Sequence, residues 1–167
     1  MGDMGDVASQ EMLLARWVEI QADSSLCDLP YKIELNADGV IEMSPTNTKH
    51  GMLQADLAHL LKQRLPAGGV IVECPILTRI GLRVPDVCWA SDSFLAGHDA
   101  EEVFSCAPEI CVEVLSRWNS RREIEEKKQA CLAAGAIEVW IVSQDGARQV
   151  FTAVGEQPDS QFVPAAG

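Results

Sequence analysis

The order of elements in this sequence predicts an α/β (α+β) fold, a mixed β-sheet flanked by helices. Three observations carry that prediction. Amphipathic helical stretches over 7–22 and 47–65 are separated by paired strand-like runs rather than by another helix. Two Asp-Gly pairs, Asp38-Gly39 and Asp145-Gly146, each lie between such runs, and glycine there supplies the positive φ of a hairpin turn. A short apolar run at 110–115 leads into a capped helix and then a second apolar run at 136–142, so sheet and helix must layer on each other.

Taken in order, "VASQEMLLARWVEIQA" carries Met12, Leu13, Trp17 and Ile20 at helical spacing. "YKIEL" and "VIEMS" form a hairpin around Asn36-Ala37-Asp38-Gly39. "NTKHGMLQADLAHLLKQRL" is an amphipathic helix with Met52, Leu53, Leu57, Leu60 and Leu61 inward, stopped by Pro66 and Gly68-Gly69. "VIVEC", "ILTRI" and "VPDVCWA" read as strands, and 91–108 as loop or short helix. Ser120 and Glu123 form a capping box that starts a helix running to Ala134 and ending at Gly135. "AIEVWIV" and "ARQVFTAV" close the sheet, and residues 155–167 read as a frayed, flexible tail. The domain reading is a single unit over 1–154, with 1–30 an N-terminal helical extension.

Composition narrows the function classes. With 167 residues and 47% apolar content the chain can bury one sizeable core and is not disordered. Its first ten residues lack an apolar stretch, and no run approaches the roughly 18 residues of a membrane span. The expectation is a cytoplasmic protein without a membrane partner. Six cysteines show no C-x-x-C pair, which suits free thiols in a reducing compartment rather than a zinc site. A net charge of −12 excludes nonspecific coating of nucleic acid, though not a local basic groove.

Two acids stand out against this background. Glu113 sits within Ile110, Cys111, Val112, Val114 and Leu115, where an ionised carboxylate costs several kcal/mol unless compensated. Asp86 sits beside Val84, Val87 and Trp89, directly after a proline. Two such acids justify one another if both face a divalent cation, because magnesium takes one or two carboxylates plus waters. The competing reading has each acid facing outward on an edge strand. Lys127 lies three positions after Ile124, on or beside the inward stripe of the capped helix, where it either reaches the same site or snorkels to solvent.

The blocks "ELNADGVIEMSPTNTKH", "VPDVCWA", "PEICVEVLS" and Lys127 with "AAGAIEVWIV" resemble the Uma-type endonucleases, a bacterial family of the PD-(D/E)XK nuclease superfamily. The likeness runs from about Tyr31 to Phe151. It implies a restriction-endonuclease-like fold and functional groups on Glu34, His50, Asp86, Glu113 and Lys127. It also implies Mg2+ (or Mn2+) held by Asp86, Glu113 and the carbonyl of Val114, with DNA as the partner. Many superfamily members carry the lysine two residues after the second acid; that position is Leu115 here, so Lys127 stands in from the following helix. Where the family has a proline-containing turn this chain has Arg117-Trp118-Asn119, and where a tyrosine is common it has Cys131.

Arg117, Arg121, Arg122 and Lys128 cluster near the helix start, either as nucleic-acid contacts or as a solvated face. Cutting both strands of a duplex suits a symmetric homodimer. The function expected is magnesium-dependent hydrolysis of DNA phosphodiesters by an endonuclease. The alternative is a catalytically silent nucleic-acid- or protein-binding module that keeps the fold.

Overall fold

The computed structural model describes residues 4–165. Helices α1 (Met4–Ala22) and α2 (Ser24–Cys27) lead into β1 (Tyr31–Asn36) and β2 (Ile41–Pro45), then α3 (Thr48–Arg64). Strands β3 (Gly69–Val72), β4 (Ile76–Thr78), β5 (Gly81–Arg83) and β6 (Val87–Ala90) precede the short α4 (Asp92–Gly97). After it come β7 (Ile110–Val114), α5 (Arg121–Ala133), β8 (Glu138–Val142), β9 (Arg148–Thr152) and β10 (Gly155–Gln157).

The mixed α+β class holds, but the strands divide into two sheets rather than one. The larger runs β10-β9-β8-β7-β6-β3 and the smaller β2-β1-β5-β4. Among the described residues every pairing between two of these strands is antiparallel except β7 with β8, which α5 joins as a crossover. The division comes from "ILTRI", expected as one strand. Thr78 Oγ1 accepts from Ile80 N–H and donates to the Gly81 carbonyl, turning the chain back into β5. Gly81 has φ +121° and lies so close to β1 that a Cβ would fall 2.1 Å from the Leu35 carbonyl oxygen. Only glycine fits there.

The hairpin expected at Asp38-Gly39 forms, with Asn36 Oδ1 accepting from Asp38 and Val40 N–H and Gly39 at φ +75°. On the larger sheet the period of two separates the faces. Val87, Trp89, Ile110, Val112 and Val114 pack on Leu57 and Leu61 of α3. Cys88, Cys111, Val139 and Ile141 pack toward Cys131 of α5. Leu13 and Ile20 of α1 bury against Leu35, Leu77, Leu82 and Val84, so the N-terminal extension is the cover of the smaller sheet.

Of the frayed tail expected over 155–167, residues 155–165 are instead strand and docked turn, and 166–167 lie outside the described residues. β10 pairs with β9, and Val163 is buried in the main core. The reason is Glu138, buried on β8: its carboxylate accepts from Trp140 Nε1, Ser160 Oγ and Gln161 N–H, each at 2.7 Å. A buried carboxylate needs such donors, and the C-terminal turn supplies two of them.

Candidate active site

Asp86 and Glu113 meet because of strand register. β6 and β7 pair Val87 with Val112 and Cys88 with Cys111; one further step sets Asp86 opposite Glu113. Asp86 stands one residue before β6, and its N–H still donates to Val112 O at 3.0 Å. Asp86 Oδ2 accepts from Val114 N–H at 2.8 Å. Both acids are almost fully buried, Asp86 at 1% and Glu113 at 4% exposure, so neither faces outward on an edge. Glu113 is the penultimate residue of the strand that feeds the α5 crossover, near the carboxyl end of a parallel pair, where α/β sheets commonly place ligand sites.

His50 and Glu34 join them. Asn47 caps α3 by accepting from His50 N–H, which fixes the first turn and brings His50 Nε2 to 3.1 Å from Asp86 Oδ1. Glu34, buried on β1, accepts from Val84 N–H at 2.8 Å and pairs with Lys127 Nζ at 2.6 Å. Lys127 is buried on α5, with Glu123 one turn back at 3.7 Å. It faces inward and does not snorkel to solvent.

Three participants were missed in the sequence. Lys32 Nζ lies 2.8 Å from Asp86 Oδ1 and 3.6 Å from Glu113 Oε2, between the two acids. Its signal was parity: in "YKIEL" it stands two residues before Glu34, on the same strand face. Gln54, one turn after His50, donates from Nε2 to the Asp86 carbonyl at 2.9 Å. Arg83 is buried, hydrogen-bonded to Glu42 and 3.7 Å from Glu34.

The two central acids differ in charge state. Burial alone would raise the Asp86 carboxyl, but the His50 hydrogen bond and Lys32 overcome it and hold its pKa well below the usual carboxylate range. At Glu113 burial wins: the attraction of Lys32 is offset by the nearby Asp86 charge, and its pKa is pushed up to about 7. Glu113 Oε1 is buried without a hydrogen-bond partner among the described residues. Burial opposes the charge on Glu34, yet Lys127 and Lys32 lower its pKa. The hydrogen bond to Asp86 raises His50 against its own burial. Burial likewise disfavours charge on Lys32 and Lys127, but the surrounding carboxylates hold both pKa values raised.

A cavity of about 30 Å³ is lined by Lys32, His50, Glu73, Asp86, Glu113, Val114 and Lys127. Beside it runs a cleft of about 480 Å³ bounded by Glu42, Arg83, Trp118, Glu123, Glu126 and Lys127. The four cations expected as nucleic-acid contacts do not form one free surface. Lys128 turns inward onto the Phe151 ring at 3.9 Å and pairs with Glu125 at 2.6 Å. Arg122 pairs with Glu126, and Arg117 stacks on the exposed Trp118. Arg121 is exposed.

Among the described residues no three His, Cys, Asp or Glu side chains are grouped to hold a metal by themselves. The donor set present is smaller: two adjacent buried carboxylates, one with an unpartnered oxygen, and the backbone at Val114. That set fits magnesium or manganese, which retain several waters, and does not fit an all-protein cage.

A family model described as "Uma2: Putative restriction endonuclease" matches residues 23–165. No curated protein matches the chain. Among solved structures, the chain is similar to one described as a "putative nuclease belonging to DUF820" from Anabaena variabilis ATCC 29413. The two share 19% identity and a TM-score of 0.59, over 80% of this chain and 81% of that one. At that identity the likeness is one of fold.

Proposed function

The chain belongs to the Uma2 family, described as a restriction endonuclease family, and on that premise we propose that it is a divalent-metal-dependent DNA endonuclease. One observation carries the reading. Asp86 and Glu113 are buried side by side, Glu113 Oε1 has no hydrogen-bond partner among the described residues, and Lys32 and Lys127 line the same cavity. Removing such an oxygen from water without a donor is costly, which is the signature of a site shaped for something else to bind.

Asp86, Glu113 and the Val114 carbonyl would hold Mg2+ or Mn2+. A cation there supplies Lewis-acid polarisation of a phosphodiester and lowers the pKa of a water. Lys127, fixed by Glu34, presents a preorganised positive charge to phosphate oxygens at the cavity wall. His50 orients Asp86 through Nε2 and, protonated, adds a further cation beside the substrate path. Glu34 acts through Lys127 as a positioning residue. Arg117 and Arg121 remain available to phosphates; Lys128 and Arg122 are engaged by acids.

DNA is the partner proposed, a homodimer the assembly, and the cytoplasm the location, which suits the six free cysteines. No helix among the described residues is long and apolar enough to cross a membrane. A second reading, a catalytically silent module that keeps the fold, is favoured by one feature: Glu42, Glu123 and Glu126 all line the approach cleft, an acidic surround for a polyanion.

The two readings separate in a calorimetric titration of Mn2+ or Mg2+ into the wild type and Asp86→Asn, followed by cleavage of supercoiled and linear DNA. One site in the wild type that is lost in the variant, with metal-dependent nicking, is the expected result. No binding up to millimolar metal in either protein would favour the silent module.

A further inference from the structure

The ammonium of Lys32 occupies the position between Asp86 and Glu113 that a shared cation would take. Its side chain is only 9% exposed and comes from the smaller sheet, whereas both acids belong to the larger one. Lys32 also lies on a wall between two spaces. It lines the inner cavity with the acids, and it lines an outer open groove of about 520 Å³ beneath α1. Glu73 borders both of the same spaces.

Glu73 is an unusual residue on its own account. Among the described residues it is the one non-glycine with positive φ, +54°, a left-handed conformation uncommon outside glycine. Its N–H donates to the Asp86 carbonyl at 3.0 Å, so the turn is tied to the site. Its own side chain is exposed, and no ion pair is formed to it among the described residues. Lys32 and Glu73 thus line the same two spaces, one facing the acids and one open to solvent.

Resting on the metal-site reading above, we propose that Lys32 is a tethered placeholder cation that a divalent metal must displace from Asp86, with Glu73 as the station that receives it. The charge count supports exchange over coexistence. Around the site the carboxylates of Asp86, Glu113 and Glu34 already face the Lys32 and Lys127 ammonium groups, the Arg83 guanidinium and the His50 ring. A divalent cation added to that set leaves an excess of positive charge in a region shielded from water. Moving one ammonium outward removes half of that excess. In the metal-free protein the same ammonium keeps two adjacent carboxylates from facing each other bare.

The test is metal affinity, read by calorimetry with Mn2+ on the full chain, for wild type, Lys32→Met, Glu73→Gln and the double variant. Lys32→Met removes the competitor and should tighten binding about tenfold or more, the weight of one charge-assisted hydrogen bond in an equilibrium constant. A residue with only a structural role would loosen the site and weaken binding. Glu73→Gln, an exposed change, should weaken binding several-fold by leaving Lys32 without a second partner. In the Lys32→Met background the Glu73→Gln effect should vanish to within about twofold, the usual limit of additivity.

Thermal unfolding with and without Mn2+ accompanies each titration. Should Lys32→Met unfold without metal, rescue of its fold by Mn2+ supports the proposal and failure of rescue overturns it. Unchanged or weaker binding in Lys32→Met refutes displacement while leaving the metal site standing. A Glu73→Gln effect that persists in the double variant refutes the receiving station. Absence of binding in wild type and Lys32→Met alike removes the metal site itself, and the proposal with it.

Discussion

Glu113→Gln should stabilise the metal-free protein above neutral pH, and the size of that gain follows from where Glu113 sits. In the unfolded chain its carboxyl loses its proton near the ordinary value of 4.5, but in the fold burial holds the proton until about 7. Between those values the folded state binds more protons than the unfolded state, so this group makes stability fall as pH rises. Below about 4.5 the penalty is absent; above about 7 it is complete. At roughly 1.4 kcal/mol per pKa unit, the shift from 4.5 to about 7 amounts to about 3 kcal/mol. The side chain is fully enclosed, so solvent screening takes little from that figure. Glutamine keeps the shape and cannot ionise. Urea or thermal unfolding in EDTA at pH 5, 6, 7 and 8 should therefore show wild type and variant close together at pH 5. They should separate by up to about 3 kcal/mol at pH 8, or about 6–12 °C in Tm for a chain of this size. Saturating Mg2+ or Mn2+ should shrink or reverse the gap, because a ligand at 100 times its Kd adds about 2.7 kcal/mol to the protein that binds it. Parallel pH curves for the two proteins, or a less stable variant at pH 8 in EDTA, would refute the reasoning.

Asp86→Asn should do the opposite at pH 7, costing about 3–5 kcal/mol because Lys32, His50 and Val114 N–H lose a buried anion. Since the folded Asp86 pKa is depressed, that contribution is present above the ordinary carboxylate pKa and is lost as pH falls below it; acid unfolding curves of the two proteins should converge. Ser160→Ala should cost about 1–3 kcal/mol in urea unfolding by taking a donor from the buried Glu138 carboxylate. Gly81→Ala should cost more than about 1 kcal/mol, since both its φ and the nearby Leu35 carbonyl exclude a Cβ; retention of wild-type Tm would contradict the hairpin geometry.

Much of the site was legible because its residues break local rules. Glu113 and Asp86 announced themselves as charges among apolar neighbours, and Lys127 as a cation on an inward helical stripe. Lys32 broke no rule that a single strand reveals. A lysine near a strand start is ordinary, and it becomes informative only when the smaller sheet sets it against Asp86 from across the molecule. The same limit hid β5: a Thr-Arg-Ile-Gly turn lacks the Asn-Gly or Asp-Gly mark of a tight hairpin, and Gly81 is required by contact with β1 rather than by its own turn. The C-terminal turn looked like tail for a related reason. Its anchor is Glu138, which reads in sequence as an acid at a strand start, and its need for Ser160 and Gln161 appears only once burial is known. The basic cluster shows the reverse effect, since spacing brings the cations near one another but also near Glu125 and Glu126, which pair with Lys128 and Arg122.

The inequality between the two central acids explains how such a site can persist without a cation and still favour one. If both carboxylates were fully hydrogen-bonded and held low, nothing would be gained when a metal arrived, because every lone pair would already have a donor. If both were bare, the metal-free fold would carry two desolvated charges facing each other. Here Asp86 is saturated by Lys32, His50 and the Val114 N–H, and its backbone is clamped by Gln54 and Glu73. That makes it the rigid half, positioned whether or not metal is present. Glu113 keeps one oxygen without a donor, and burial raises its pKa to about 7. On the proposed metal-site reading, a divalent cation would compete there against a proton, and on Asp86 against neighbours that the strand register has already fixed. On the proposed reading, the rigid acid would set where a cation sits, and the unsatisfied acid would supply the reason for it to bind.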